Sequence, residues 1–349
     1  MDVAIIGATG SCGRQVAAQM LERHILPQSA TLHLIGHAGG RHRTELWGLR
    51  ADLRDAFADR SPNIEVGTSV AASRAGLVVM IAGATLPKGA SDRAVLAEIN
   101  RQIFVEVAED LGRMTNEVTV VVQSNPIELA IEILGEQIPR HRILGAAAWS
   151  DSLRFRRELA ADLGIARPLV QAEMWGQHGD HLVPMWSLVQ ARSLSDQHLA
   201  DVIGAARQDR LLADLPAEIR SARNSALALI ESNDVEGSYA YIQQQPPDVR
   251  AAIKPFFVHF TAGRTTELAT AHAVVDVAEI ILEGERRAIP AQVRLAGEHW
   301  NISGIAAVSV LAGQQGWSQV IAQDIAEDER LALVEAATSI RSASAGQNA

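Results

Sequence analysis

The chain has 349 residues, enough for two domains or one large one with an ample core. Hydrophobic residues at 48% and charged residues at 21% suit a soluble globular protein, while a net charge of −10 argues against nucleic acid or an anionic membrane surface as partner. The single cysteine, Cys12, excludes an intramolecular disulfide and a cysteine-built metal site, so no metal is expected. The first residues lack a signal-peptide pattern and no apolar run is long enough to span a bilayer, so the expected location is cytoplasmic.

From the N-terminus, Val3-Ala4-Ile5-Ile6 reads as a short buried strand. It is followed by Gly7-Ala8-Thr9-Gly10-Ser11-Cys12-Gly13 and a helical pattern through Val16, Met20 and Leu21. Strand, glycine turn and helix form the context of a dinucleotide site. Gly7 permits the tight turn, Gly10 admits a pyrophosphate to the backbone, and Gly13 lets the helix pack on the strand. Ser11 and Cys12 stand at the helix N-terminus, where free N–H groups face the phosphates. The second strand, 31–35, ends in Gly36-His37, followed by Arg41, His42 and Arg43, where an NAD site usually carries an Asp or Glu for the ribose hydroxyls. Loss of the acid and gain of cations favours NADP over NAD; the other reading is a solvated basic loop.

A helix at about 41–59, a short strand near 64–66 and the apolar strand Leu77-Val78-Val79-Met80-Ile81 continue the alternation. The last of these ends in Ala82-Gly83-Ala84. A loop with Pro87, Lys88, Gly89 and Arg93 comes next and reads as a lid, ahead of a helix containing Asn100 and Phe104. A further buried strand, 118–122, stops at Gln123-Ser124-Asn125-Pro126, which places Asn125 at the carboxyl edge of the sheet. This rhythm predicts an α/β protein: an N-terminal Rossmann domain with a doubly wound parallel sheet over 1–147, then a C-terminal α+β substrate domain over 148–341, with 342–349 a disordered tail. In the second part, 168–183 and 288–311 alternate like strands, and about 197–230 and 323–341 are helical.

The chemistry concentrates between Asp151 and Asp180. Asp151-Ser152-Leu153-Arg154-Phe155 reads as the first turn of a helix, on which Asp151 and Arg154 share one face. His178 lies in Gly176-Gln177-His178-Gly179-Asp180, a glycine turn after a β-rich run that presents a side chain at a strand end. Taken singly, these fragments equally describe a surface ion pair and a histidine in a turn. Together they are an acid, a base and a fork-shaped cation.

These segments resemble, in order and over nearly the whole chain, the malate/lactate dehydrogenase family, and most closely its malate branch. The matching segments are the Gly7–Gly13 loop, Ala82-Gly83-Ala84, Arg93 with Asn100, Ser124-Asn125-Pro126, the Asp151-to-Arg156 run and the His178 turn. The resemblance implies hydride transfer between NAD(P) and a small 2-hydroxy/2-oxo acid, malate/oxaloacetate above all. His178 would be the acid/base, Asp151 would hold its tautomer and favour its protonated form, and Arg154 would grip the substrate carboxylate. Arg93 would polarise the C–O bond as the lid closes. Asn125 would bind substrate or the nicotinamide ribose, and Gly7, Gly10, Ser11, Cys12, Gly13, Gly36, His37, Arg41, Ala82, Gly83 and Asn100 the rest of the cofactor. Asp180 would support the turn. A homodimer, or a tetramer, is implied, with the apolar helix around Leu46, Trp47, Leu49 and Leu53 facing the symmetry mate.

Two departures from the family's pattern stand out. The lid arginine that reads a distal carboxylate is replaced by Pro87, leaving Lys88 or Arg264 to supply that charge, with Thr266 a further substrate-facing candidate. Residues 232–247 extend a region that is shorter in the family and read as an extra surface loop rather than a wall of the pocket. The alternatives are a lactate-like or bulky 2-hydroxy acid as substrate, an NAD-dependent glycosidase on the same fold, and a nucleotide-binding protein without catalysis.

Overall fold

The structure is a computed structural model describing residues 1–37, 41–84, 93–208, 210–263 and 266–346, with side chains at all of these except 41, 42, 93, 94 and 342–346. The first half alternates as expected: β1 (Val3–Ile6), α1 (Ser11–Glu22), β2 (Thr31–Ile35), α2 (Arg41–Ala56), β3 (Asn63–Gly67), β4 (Leu77–Met80), α3 (Arg93–Gly112), β5 (Thr119–Val122), α4 (Ile127–Leu134) and β6 (Ile143–Gly145). All these strands pair in parallel, in the order β3-β2-β1-β4-β5-β6, the doubly wound arrangement.

Burial explains why the central strands are apolar on both faces. Ile5, Leu77, Val79 and Val121 join one core, and Ala4, Val78, Met80, Val120 and Val122 join the core on the opposite face. A strand covered twice reads as a continuous apolar run rather than an alternating one. Against these faces lie α1 on one side, with Val16, Met20 and Leu21 buried, and α3 and α4 on the other.

The second half begins with α5 (Ala147–Leu163), followed by β7 (Val170–Gln171), β8 (Met174–Gly176), β9 (Leu182–Pro184), β10 (Gln190–Ala191), α6 (Asp196–Arg207), α7 (Leu215–Glu231), α8 (Val235–Gln243), α9 (Pro247–Ala262), α10 (Glu267–Glu283), β11 (Arg287–Ala296), β12 (Ser303–Gly313), β13 (Gly316–Val320) and α11 (Glu327–Gly346). The sheet does not stop between the halves. An antiparallel bridge from Gly145 to Gln292 continues it through β11, β12, β8 and β9. A third core holds α5, α7, α8 and α9 together around Phe155, Leu159, Ile219, Ile242 and Ile253, with Phe155 edge-on to Trp186 at 5.1 Å. Among the described residues no helix is long and apolar enough to cross a membrane.

Four expectations differ from what is observed. α5 begins at Ala147, one turn ahead of Asp151, because Ala147 and Ala148 are good helix formers already buried where β6 ends. Residues 232–247 are not a loop: Asp234 caps α8 by accepting the Gly237 N–H, and α8 packs on α7 through Ile242 and the Ser238 Oγ donating to Ala226 O. The tail expected from 342 continues the last helix to Gly346, with 347–349 outside the described residues. On α2, Leu46, Leu49 and Leu53 are buried in the chain's own core, so of the four residues expected to face a symmetry mate Trp47 alone, 54% exposed, points outward.

Candidate active site

The glycine loop has the geometry its spacing implies. Gly7 adopts φ +91, and its N–H donates to Ile35 O at 2.9 Å, joining the ends of β1 and β2. A Cβ at Gly7 would lie 2.7 Å from Ala82 N, so this loop and the Ala82-Gly83 turn after β4 abut backbone to backbone. A Cβ at Gly13 would lie 2.3 Å from Gly7 O, so only glycine lets α1 seat against the turn. The first N–H groups of α1, from Ser11, Cys12 and Gly13, have no carbonyl within their own helix to bond and carry its positive end. At the end of β5 the Gln123 Oε1 and Asn125 Oδ1 atoms are buried with no partner among the described residues. A cradle that a Cβ would fill, together with orphaned buried acceptors at the strand carboxyl ends, fits a dinucleotide.

Three cofactor candidates read differently in place. Asn100 is fully buried: its Oδ1 accepts the Ala84 N–H at 2.7 Å and its Nδ2 donates to Asn125 O at 2.7 Å. Its amide is therefore engaged bracing the ends of β4 and β5 rather than presented to a ligand. Gly36 has a packing cause, since a Cβ there would stand 3.0 Å from Leu46 Cδ1. Cys12 is half-buried, and burial, reinforced by Glu267, pushes its thiol up to about 12. His37 is exposed at the end of β2, and the Arg41 side chain lies outside the described residues.

The candidate acid and base, Asp151 and His178, meet across 27 residues of chain. The imidazole of His178 approaches Asp151 Oδ2 through Nδ1 at 2.7 Å. Arg154 Nη1 donates to the other oxygen, Asp151 Oδ1, at 2.9 Å, and Arg154 Nη2 donates to Thr266 Oγ1 at 3.0 Å. Thus Asp151 and Arg154 look at each other as well as toward His178 and Thr266, a point the local pattern left open. Burial alone would push the Asp151 carboxyl up, but His178 and the Arg154 guanidinium hold it below the usual carboxylate range. Burial likewise pulls Arg154 down, opposed by Asp151. Their side chains are only 5% and 15% exposed, and His178 is 23% exposed, so a buried charged pair supports a reachable ring. Each Arg154 terminal nitrogen carries a second N–H beyond those already bonded, which keeps donors for a carboxylate.

Of the remaining candidates, the lid residue Lys88 and the alternative cation Arg264 lie outside the described residues, as do Pro87 and the Arg93 side chain. Two contributors were not singled out from sequence. Glu128, buried on α4, accepts the backbone N–H of His178 through Oε1 at 3.0 Å. Arg223 on α7 reaches Asp180 at 3.5 Å and stacks over the Phe256 ring at 5.0 Å. The helix Ile-Glu-Leu-Ala-Ile-Glu-Ile-Leu carries two acids, Glu128 and Glu132, of which Glu128 is the buried one; nothing local marks Arg223.

Fold and site together define a two-part, dinucleotide-binding protein with a carboxylate-oriented histidine at the carboxyl ends of its strands. Residues 1–145 match the family model described as lactate/malate dehydrogenase, NAD binding domain. The chain is 26% identical to malate dehydrogenase of Trichormus variabilis over 343 residues, covering 97% of this chain and 91% of that one. It is 25% identical to the L-lactate dehydrogenase A chain of Ambystoma mexicanum, covering 94% and 87%. Among solved structures, malate dehydrogenase of Cryptosporidium parvum superposes with a TM-score of 0.76 at 20% identity, covering 98% of this chain and 97% of the other. Lactate dehydrogenase of the same organism, solved with lactic acid and nicotinamide adenine dinucleotide, superposes with a TM-score of 0.78 at 20% identity, covering 99% and 98%. The first 145 residues thus match the NAD-binding domain of the lactate/malate dehydrogenases, and nearly the whole chain is similar to malate and lactate dehydrogenases.

Proposed function

We propose that this protein interconverts a 2-hydroxy acid and its 2-oxo acid, with malate and oxaloacetate as the pair. The observation that carries the reading is the single buried carboxylate of Asp151, shared between His178 Nδ1 at 2.7 Å and Arg154 Nη1 at 2.9 Å. With Nδ1 committed to Asp151, the hydroxyl proton of the substrate goes to Nε2, and the imidazolium so formed is stabilised by the carboxylate beside it. Arg154 pairs with the substrate's 1-carboxylate through its remaining N–H groups, while Thr266 fixes the guanidinium plane. The Gly7–Gly13 loop and the Asn125 edge would hold the nicotinamide dinucleotide, which supplies the acceptor for the hydride leaving C2. In the reverse direction His178 returns the proton to the carbonyl oxygen.

NADP is the reading for the cofactor, supported by Gly36-His37 standing where an NAD site carries an acid and by the cations Arg41 and Arg43 that follow. For malate, support comes from the segment likeness and from Lys88 and Arg264 as candidates for the distal carboxylate, and a homodimer is the expected assembly. Initial rates of reduction of oxaloacetate, pyruvate and bulkier 2-oxo acids, each with NADPH and NADH, test both choices. Preference for oxaloacetate with NADPH is the expected result. Preference for a monocarboxylic acid would show that Pro87 has changed the substrate, and preference for NADH that the residues after β2 are only a solvated face. Absence of turnover with every acid would overturn the reading.

A further inference from the structure

We infer that Glu128 is a positioning residue that sets the place of His178 relative to the edge of the dinucleotide unit. The inference rests on the reading of His178 as the acid/base. His178 stands in a turn between Gly176, at φ +81, and Gly179, at φ +117, which is closed by the Gln177 N–H donating to His181 O at 3.0 Å. Glycines let the backbone take this shape but do nothing to hold it there. The ring is held from α5 through Asp151, at 2.7 Å. The contact at Nδ1 fixes where one ring atom lies, and the backbone beneath it needs a hold of its own.

That second hold comes from α4. Glu128 is 4% exposed on a helix whose other buried residues are all apolar, a costly place for a carboxyl group without a partner. Its Oε1 accepts the His178 N–H at 3.0 Å. α4 starts directly after Asn125 and Pro126, and Asn125 O accepts the Asn100 Nδ2 at 2.7 Å, which ties this corner to the end of β4 through Ala84. The catalytic turn is thereby registered against the strand ends where the nicotinamide binds, and not only against α5. Proton and hydride leave the same carbon–oxygen unit, so the imidazole and the hydride acceptor must be placed relative to each other. A misplacement of the order of 1 Å lowers turnover by about 100-fold.

The test compares Glu128→Met, which keeps the length and removes the acceptor, with Glu128→Gln, whose amide oxygen still accepts. E128M is expected to lose about 10- to 100-fold in kcat, with KM for the oxo acid and the cofactor Kd within about twofold of wild type, because only placement is disturbed. E128Q is expected to stay within about threefold of wild type, since a neutral acceptor replaces a charged one. Turnover of E128M equal to wild type, or equal losses in E128M and E128Q, would overturn the proposal. Two readouts do not depend on the substrate. The His178 amide proton should move upfield in E128M and stay in E128Q. In the unmodified protein, with no variant needed, the same amide should exchange with solvent at least roughly tenfold more slowly than that of Gly179. Equal exchange of the two amides, or an unmoved His178 proton in E128M, removes the bond on which the proposal stands. A wild type that turns over no oxo acid would instead defeat the functional reading, and the amide measurements would still decide the role of Glu128.

Discussion

Replacing Asp151 by Asn keeps the shape of the side chain and removes its charge, which makes it the sharpest probe of the site. In the wild type one oxygen faces His178 Nδ1 at 2.7 Å and the other receives Arg154 Nη1 at 2.9 Å. Asparagine offers one acceptor and one donor in place of two acceptors. With the amide nitrogen toward Arg154, two donors oppose each other and a buried guanidinium loses its counter-ion. With it toward His178, Nδ1 must accept, the proton moves to Nε2, and the base is in the wrong tautomer. A hydrogen bond involving a charged group contributes about 1.5–3 kcal/mol, and about 1.4 kcal/mol is a factor of ten, so either orientation lowers kcat/KM by about 10- to 100-fold. The first orientation shows mainly in KM, through a misplaced Arg154, and the second mainly in kcat. The same substitution changes the acid limb of stability. Because the folded-state pKa of Asp151 is depressed, its contribution is complete above the unfolded value of about 3.9 and is lost as pH falls through the lower folded value. D151N should therefore be less stable at neutral pH and lose less on acidification than the wild type. Steady-state rates and thermal unfolding at pH 7 and pH 3 give both readouts. A D151N enzyme within threefold of wild type in kcat/KM would refute the shared-carboxylate account.

Gly13→Ala should weaken cofactor binding more than tenfold and lower stability by about 1–3 kcal/mol, because a Cβ placed 2.3 Å from Gly7 O forces α1 away from the loop. Fluorescence titration with reduced cofactor and a thermal melt measure the two effects, and an unchanged Kd would contradict the cradle. Cys12, despite its place in the glycine loop, should resist alkylation: with its thiol pushed up to about 12, the thiolate fraction at pH 8 is on the order of one part in 10⁴. Mass spectrometry after iodoacetamide treatment checks this, and labelling as fast as a free thiol would show that the loop is open.

The dinucleotide half was legible because its signals are local. A glycine without a Cβ, a strand apolar at every position and a helix start are properties of a few consecutive residues, and the alternation of strands with helices points to a parallel sheet. Helix boundaries were less legible. Asp151 reads as the first turn of its helix, yet α5 starts at Ala147 because the preceding alanines are buried by tertiary contacts that no window of sequence contains. Residues 232–247 have weak periodicity because α8 is short and buries little beyond Ser238 and Ile242, so pattern alone pointed to a loop.

For the site, the sequence by itself determined which groups are present: an acid and a fork-shaped cation three positions apart on one helix, and a histidine between glycines. Only the tertiary structure decided which atoms meet. Asp151 divides its two oxygens between His178 and Arg154, Thr266 arrives from 112 residues away to hold the guanidinium, and Asn100 turns from a ligand contact into a brace between strand ends. Glu128 acquires its partner 50 residues along the chain. Residue type and local backbone shape are encoded within a turn or two, whereas hydrogen-bond partnership depends on how α4, α5 and α10 pack around the carboxyl ends of a sheet, and that packing is a property of the whole chain.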